Sequence, residues 1–235
     1  MRPQRRLLLI SNSIHHGQGF LDHVIHEIDD FLGKVRSLAF IPFAQKDREG
    51  AGARVRERLA AIGVEVTTVT ADEEGRNLLR NCEAAFTGGG NTFRLLKTLQ
   101  EAQMIPILTY RCLAGMPYLG SSAGTNVATP TIRTTNDMPI VQPASFDALR
   151  LVPFQINPHY LDADPGSTHM GETREQRLKE FHEENDTVVV GLREGAWIRV
   201  EGERATLGGG NGARIFRRNR EPEERGSGAE LTDLL

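Results

Sequence analysis

Tyr118-Leu119-Gly120-Ser121-Ser122-Ala123-Gly124-Thr125-Asn126-Val127-Ala128 is the stretch on which the reading of this chain turns. Its centre, Gly120 to Gly124, fits Gly-x-Ser-x-Gly with Ser122 in the nucleophile slot. Apolar residues lead in and a helix-compatible run follows, which is the strand, sharp turn and helix context that sets a serine out beyond a sheet edge. The glycines have a steric reason: a tight turn brings backbones together where a Cβ would collide. The same five residues also suit an ordinary small-residue turn, so the rest of the chain must supply what a reactive serine needs.

Upstream, apolar and β-branched runs alternate with segments of helical period. Strands are expected at 7–10, 35–43, 64–69 and 84–87, and helices at 20–32, 48–62, 73–80, 92–100 and 105–114. Leu7-Leu8-Leu9-Ile10 is apolar throughout, the texture of a central parallel strand covered on both faces. The alternation predicts an α/β fold of three layers: a mostly parallel sheet, helices on both faces, right-handed crossovers. Sites in such sheets form beyond the carboxyl ends of the strands. Gly88-Gly89-Gly90-Asn91 and the Ser122 turn both fall there and could face one another. After Val127 the pattern changes. Residues 130–151 read as a long excursion without helix, and 173–182 as a helix opened by a Thr173/Gln176 capping box. Late strands, some antiparallel, are expected at 188–192, 196–200, 204–207 and 213–217, with Gly208-Gly209-Gly210-Asn211-Gly212 as a turn. One α/β domain over 1–217 and a charged, loose tail over 218–235 complete the expectation.

The 235 residues carry a net charge of −3, which gives no reason to expect nucleic acid or an anionic membrane as partner. The apolar run at 7–10 is far too short to span a bilayer, since polar Ser11-Asn12-Ser13 follows at once. Two cysteines, Cys82 and Cys112, stand in no metal-like spacing, so neither a disulfide framework nor a cofactor is implied and a reducing cytoplasm is the default compartment.

A serine hydroxyl attacks only when a neighbouring base takes its proton, usually a histidine held by a third group. Seven histidines compete. His15, His16, His23, His26 and His182 read as solvated; neither His26-Glu27 nor His182-Glu183 is completed to His-Glu-x-x-His, so no metal is expected. His169 sits in a loop without an evident partner. His159 follows an apolar run and Pro158, which fixes the turn, so it suits a base that must point one way; a buried structural histidine would look the same. Asp137 and Glu194 are the two acids that could orient it, and spacing alone does not choose between them. Oxyanion donors are expected from the amide of Ala123 and from Gly89 or Gly90. Phosphate cradling by the glycines is discounted, since no Gly-Lys-Ser/Thr follows.

Taken together, these residues resemble the peptidase E family, the cytoplasmic α-aspartyl dipeptidases among the serine peptidases. The likeness is carried by the Ser122 turn, Ile41-Pro42-Phe43-Ala44, Gly88-Gly89-Gly90-Asn91-Thr92-Phe93, Gln155-Ile156-Asn157-Pro158-His159 and Gly171-Glu172-Thr173-Arg174-Glu175-Gln176-Arg177. Pro130-Thr131-Ile132-Arg133-Thr134-Thr135-Asn136-Asp137-Met138-Pro139-Ile140-Val141 adds the longest matching segment. The resemblance implies a flavodoxin-like fold, similar to class I glutamine amidotransferases, with Ser122 as nucleophile and His159 as base. It supports both acids, Glu194 as the triad partner and Asp137 in a supporting role nearby. It implies hydrolysis of dipeptides with N-terminal aspartate, through an acyl-enzyme. The aspartyl carboxylate then calls for an arginine: Arg174 first, with Arg133 and Arg177 as weaker candidates. Ser121 departs from the family, whose members commonly carry tryptophan there. The expected partner is a small peptide, with a homodimer kept as an option. A cyanophycinase-like β-aspartyl peptidase and a non-catalytic ligand-binding module on the same fold are the alternatives. A glutaminase would use cysteine where Ser122 stands.

Overall fold

The structure is a computed structural model that describes residues 4–164, 166 and 171–235. The chain opens with β1 (Arg6–Ile10), a single 3₁₀ turn and α1 (Ile25–Leu32). It continues through β2 (Ser37–Ile41), α2 (Arg48–Ala60), β3 (Glu65–Thr68), α3 (Glu73–Asn81), β4 (Ala84–Thr87), α4 (Thr92–Glu101) and α5 (Ile105–Leu113). Then come β5 (Tyr118–Ser121) and the short α6 (Ala123–Val127). Asp47, Asp72 and Asn91 cap α2, α3 and α4 by accepting the N–H three residues on, which is why these helices begin where they do.

Seven strands form the main sheet in the order β3-β2-β4-β5-β1, extended by the later antiparallel pair β8 (Ala196–Glu201) and β9 (Arg204–Gly209). The first five strands are all parallel. Residue-by-residue alternation explains the all-apolar first strand. Leu7 and Leu9 pack into one core with α4, α5 and α6, while Leu8 and Ile10 pack into the other with α1 and α2. The expected three-layer arrangement of helices on both faces is what forms.

The late strands divide between two sheets, a partition on which the sequence reading is silent. β6 (Gln155–Tyr160), β7 (Val189–Arg193), β10 (Ala213–Phe216) and β11 (Glu223–Arg225) make a second sheet in the order β11-β10-β7-β6. Within it β6 and β7 are parallel, joined by α7 (Arg174–Glu184), whose Leu178 packs with Tyr160, Val189 and Phe216. The Thr173/Gln176 capping box that opens α7 is present. Because α7 leans on this second sheet, His182 is buried, with Nδ1 3.1 Å from the Asn185 carbonyl oxygen; the solvated histidine expected there is not found. Residues 130–151 run without helix, as expected, and return to the end of α6 through Leu149 N–H to Val127 O (2.9 Å) and Leu151 N–H to Ala128 O (2.8 Å).

The loose tail expected over 218–235 is also corrected. β11 adds to the edge of β10, and Leu231 is fully buried. Leu207 N–H donates to Ala229 O at 2.9 Å and Leu231 N–H to Ala205 O at 2.8 Å, so the same segment lies along β9. Among the described residues no helix is long and apolar enough to cross a membrane.

Candidate active site

β5 lies between β4 and β1, so three loops meet at the carboxyl ends of neighbouring strands. The 88–91 loop follows β4, the Ser122 turn follows β5, and Ser11-Asn12 follow β1. Ser122 holds φ of 53° and ψ of −107°, a conformation that lifts its side chain away from both strand and helix. The flanking glycines permit it: a Cβ on Gly120 would lie 2.6 Å from the Gly124 carbonyl oxygen, and one on Gly124 would run into the backbone of Thr87.

His159 arrives from the second sheet. Its Nε2 lies 2.9 Å from Ser122 Oγ, and its Nδ1 lies 2.6 Å from Glu194 Oε1. Both side chains are partly open to solvent, 39% for His159 and 48% for Glu194. Of the two candidate acids, therefore, Glu194 touches the imidazole. Asp137 instead accepts the Thr92 N–H at 2.7 Å, at the start of α4, where Asn91 Nδ2 also holds the Met138 carbonyl at 2.8 Å. A carboxylate is stabilised there by the unpaired amides and dipole of the helix end.

Opposite the serine, Gly89 packs against it: a Cβ on Gly89 would stand 3.3 Å from Ser122 Cβ. Ala123 is the first residue of α6, so its N–H belongs to the turn that has no intrahelical acceptor. A cleft of about 780 Å³ opens beside His159 and Glu194; Asp137, Asp162, Arg174 and His15 are among its walls.

The model of Peptidase family S51 matches residues 7–208. A Streptomyces coelicolor protein named Peptidase E is 54% identical over 229 residues, covering 97% of this chain and 94% of its own. The chain belongs to peptidase family S51. It is a serine-type peptidase. A Drosophila melanogaster protein named probable alpha-aspartyl dipeptidase is 46% identical to this S51 chain, covering 100% of it and 99% of the relative. Among solved structures, a peptidase from an acI-B1 Actinobacterium superposes with a TM-score of 0.72 at 14% identity, covering 98% of this chain and 97% of the other; it supports the fold alone.

In this S51 peptidase the predicted arginines separate. Arg174, the first residue of α7, lines the cleft, and burial lowers its pKa, with Arg177 adding to the lowering and Asp137 opposing it. Among the described residues Arg174 makes no ion pair. Arg133 is exposed, stacks over the Phe146 ring at 4.9 Å and lines a different hollow with Phe93. Arg177 lies on the surface, 3.5 Å from Glu172. Ser121 is fully buried with its hydroxyl unpartnered. His169 lies outside the described residues. Among the described residues no three His, Cys, Asp or Glu side chains cluster as a metal site would need.

Sequence reasoning missed the bracket formed by Ser11 and Asn12. Ser11 Oγ accepts the His159 N–H at 2.9 Å and donates to Leu192 O at 2.9 Å. Asn12 Oδ1 accepts the Gly195 N–H at 2.7 Å, beside Glu194. One end of β1 thus holds the backbones of both the histidine and the acid, including the positive φ of 53° at His159. The only hint in sequence was a polar pair ending an apolar run. Ser11→Ala removes the partner of a part-buried N–H and of a buried C=O, so it is expected to lower unfolding free energy by about 1–3 kcal/mol. Urea titration reads this directly; a midpoint equal to wild type would contradict it.

Proposed function

We propose that this S51 peptidase hydrolyses dipeptides with N-terminal aspartate by nucleophilic catalysis, with Ser122, His159 and Glu194 as its triad. One observation carries the reading: the unbroken relay from Ser122 Oγ through both ring nitrogens of His159 to Glu194, at 2.9 and 2.6 Å. Glu194 favours the tautomer with the proton on Nδ1, leaving Nε2 to take the serine proton. Ser122 Oγ attacks the carbonyl carbon of the Asp–Xaa bond, and the oxygen of the tetrahedral intermediate is met by N–H groups of Ala123 and of Gly89 or Gly90. His159 then gives its proton to the leaving amine. Water, deprotonated by His159 in turn, releases aspartate from the ester.

The substrate class is supported by the relatives' names and by Arg174. A half-buried guanidinium in the wall of the cleft suits a carboxylate, because two parallel N–H donors meet two oxygens. Steady-state assays on Asp-Leu and Leu-Leu test the assignment. Wild type should prefer Asp-Leu, and Arg174→Met should raise KM for it by about 10- to 100-fold, the worth of a hydrogen bond to a charged group. Equal kcat/KM on both substrates in the wild type would reject aspartate specificity; an unchanged KM in Arg174→Met would reject this arginine.

A further inference from the structure

The 88–91 loop has no side chain of its own to hold it until Asn91, and its peptide groups are held from outside. Gly88 N–H donates to Ile41 O at 3.2 Å, and Asn91 N–H to Ala44 O at 2.9 Å. Between these two pins, the Gly89 carbonyl accepts from Gln45 Nε2 at 3.1 Å. The other end of the Gln45 amide, Oε1, accepts from Arg54 Nη2 at 2.8 Å.

The chemistry of these groups makes the arrangement directional. A side-chain amide offers a donor on one branch and an acceptor on the other, and either could face the loop. A guanidinium only donates, so Arg54 draws the oxygen of Gln45 to itself and turns Nε2 toward Gly89. A trans peptide sends its C=O and N–H to opposite sides. Fixing the Gly89 carbonyl therefore fixes where the Gly90 N–H points. This peptide also needs fixing, because it joins two glycines, the second at φ of +137°, and meets little steric resistance to turning over. It lies against the serine: a Cβ on Gly89 would stand 3.9 Å from Ser122 Oγ.

We propose that Gln45, oriented by Arg54, is a positioning residue that keeps the peptide between Gly89 and Gly90 turned so that its N–H serves the oxyanion. The inference rests on the reading of Ser122 as the nucleophile. It gives a role to a half-buried glutamine just after the Ile41-Pro42-Phe43-Ala44 segment, and to an arginine on the exposed side of α2.

Gln45→Glu is the sharpest test. It keeps the size of the side chain and its Arg54 partner but sets an acceptor oxygen against the Gly89 carbonyl. The two oxygens repel, and the peptide turns over to offer the Gly90 N–H to the new carboxylate. Loss of an oxyanion donor should lower kcat on Asp-Leu by about 10²–10³-fold, with KM changed by no more than about threefold. Gln45→Met, which removes both the pin and the repulsion, should fall between Gln45→Glu and wild type. Both variants are compared with wild type by thermal melting. If Gln45→Glu is destabilised, the folded Gln45→Met decides alone. Wild-type kcat in a folded variant overturns the proposal, and so does a loss that appears in KM rather than kcat. Ser122→Ala separates the two levels. If it is inactive while the Gln45 variants keep wild-type kcat, only the positioning role fails; if it stays active, the nucleophile assignment fails and the proposal with it.

Discussion

Ser122→Ala should lower kcat on Asp-Leu by about 10⁶-fold, the scale seen when a nucleophilic serine is removed from a triad that acts as a unit. Substrate binding should change little, since the hydroxyl contributes to bond formation more than to holding the ground state. The fold should survive. Ser122 caps α6 without a side-chain hydrogen bond, and alanine inherits the same backbone conformation at φ of 53°. The neighbouring Ser121 does not offer a substitute nucleophile, because its hydroxyl is buried and unpartnered. Single-turnover kinetics with a serine-directed phosphonate give an independent reading: wild type should be labelled at residue 122 and Ser122→Ala not at all. Activity within tenfold of wild type would place the nucleophile elsewhere.

The second large effect separates two carboxylates between which residue spacing alone did not choose. Glu194→Gln should lower kcat by about 10²–10⁴-fold. The amide can turn its NH₂ toward the ring and favour the tautomer with the proton on Nε2, where it blocks uptake of the serine proton. The upper limit belongs to a buried acid; Glu194 is 48% exposed, so water can partly replace it and the lower half of the range is expected. Asp137→Asn should cost no more than about tenfold, or about 1.4 kcal/mol of barrier. Its oxygen can still accept the Thr92 N–H, and what is lost is a negative charge opposite Arg174. Measuring kcat for both variants on one substrate settles the order. A larger loss at Asp137 than at Glu194 would overturn the triad as drawn.

The sequence carried the main sheet well because its signals are local. Leu7 to Ile10 announces burial on both faces, and the Asp and Asn caps mark where helices begin. Ser122 was legible through its glycines, which the turn demands sterically, and His159 through Pro158 and the family likeness. Partnership was not legible. Nothing local in Val189–Arg193 says that this strand pairs with β6 and β10 rather than with the main sheet. Glu194 and Asp137 differ in what they touch, not in the residues beside them. Ser11, Asn12 and Gln45 act through side-chain hydrogen bonds to backbone atoms far away in the chain, and such bonds leave no periodicity.

The last segment was misread for the same reason, since its charges are plain and its backbone pairing is not. That pairing has a consequence for how the protein can be handled. β11 covers the outer edge of β10 while residues 229–231 cover that of β9, so one strip of chain closes a border of each sheet. Glu224, on that strip, also grips Arg193, the neighbour of Glu194, at 2.9 and 3.1 Å. A version cut back to residue 217 would carry two bare rows of amide and carbonyl groups, ready to template self-association. Its failure would show as turbidity and lost yield before any change in turnover could be measured, and an affinity tag is better placed at the other terminus.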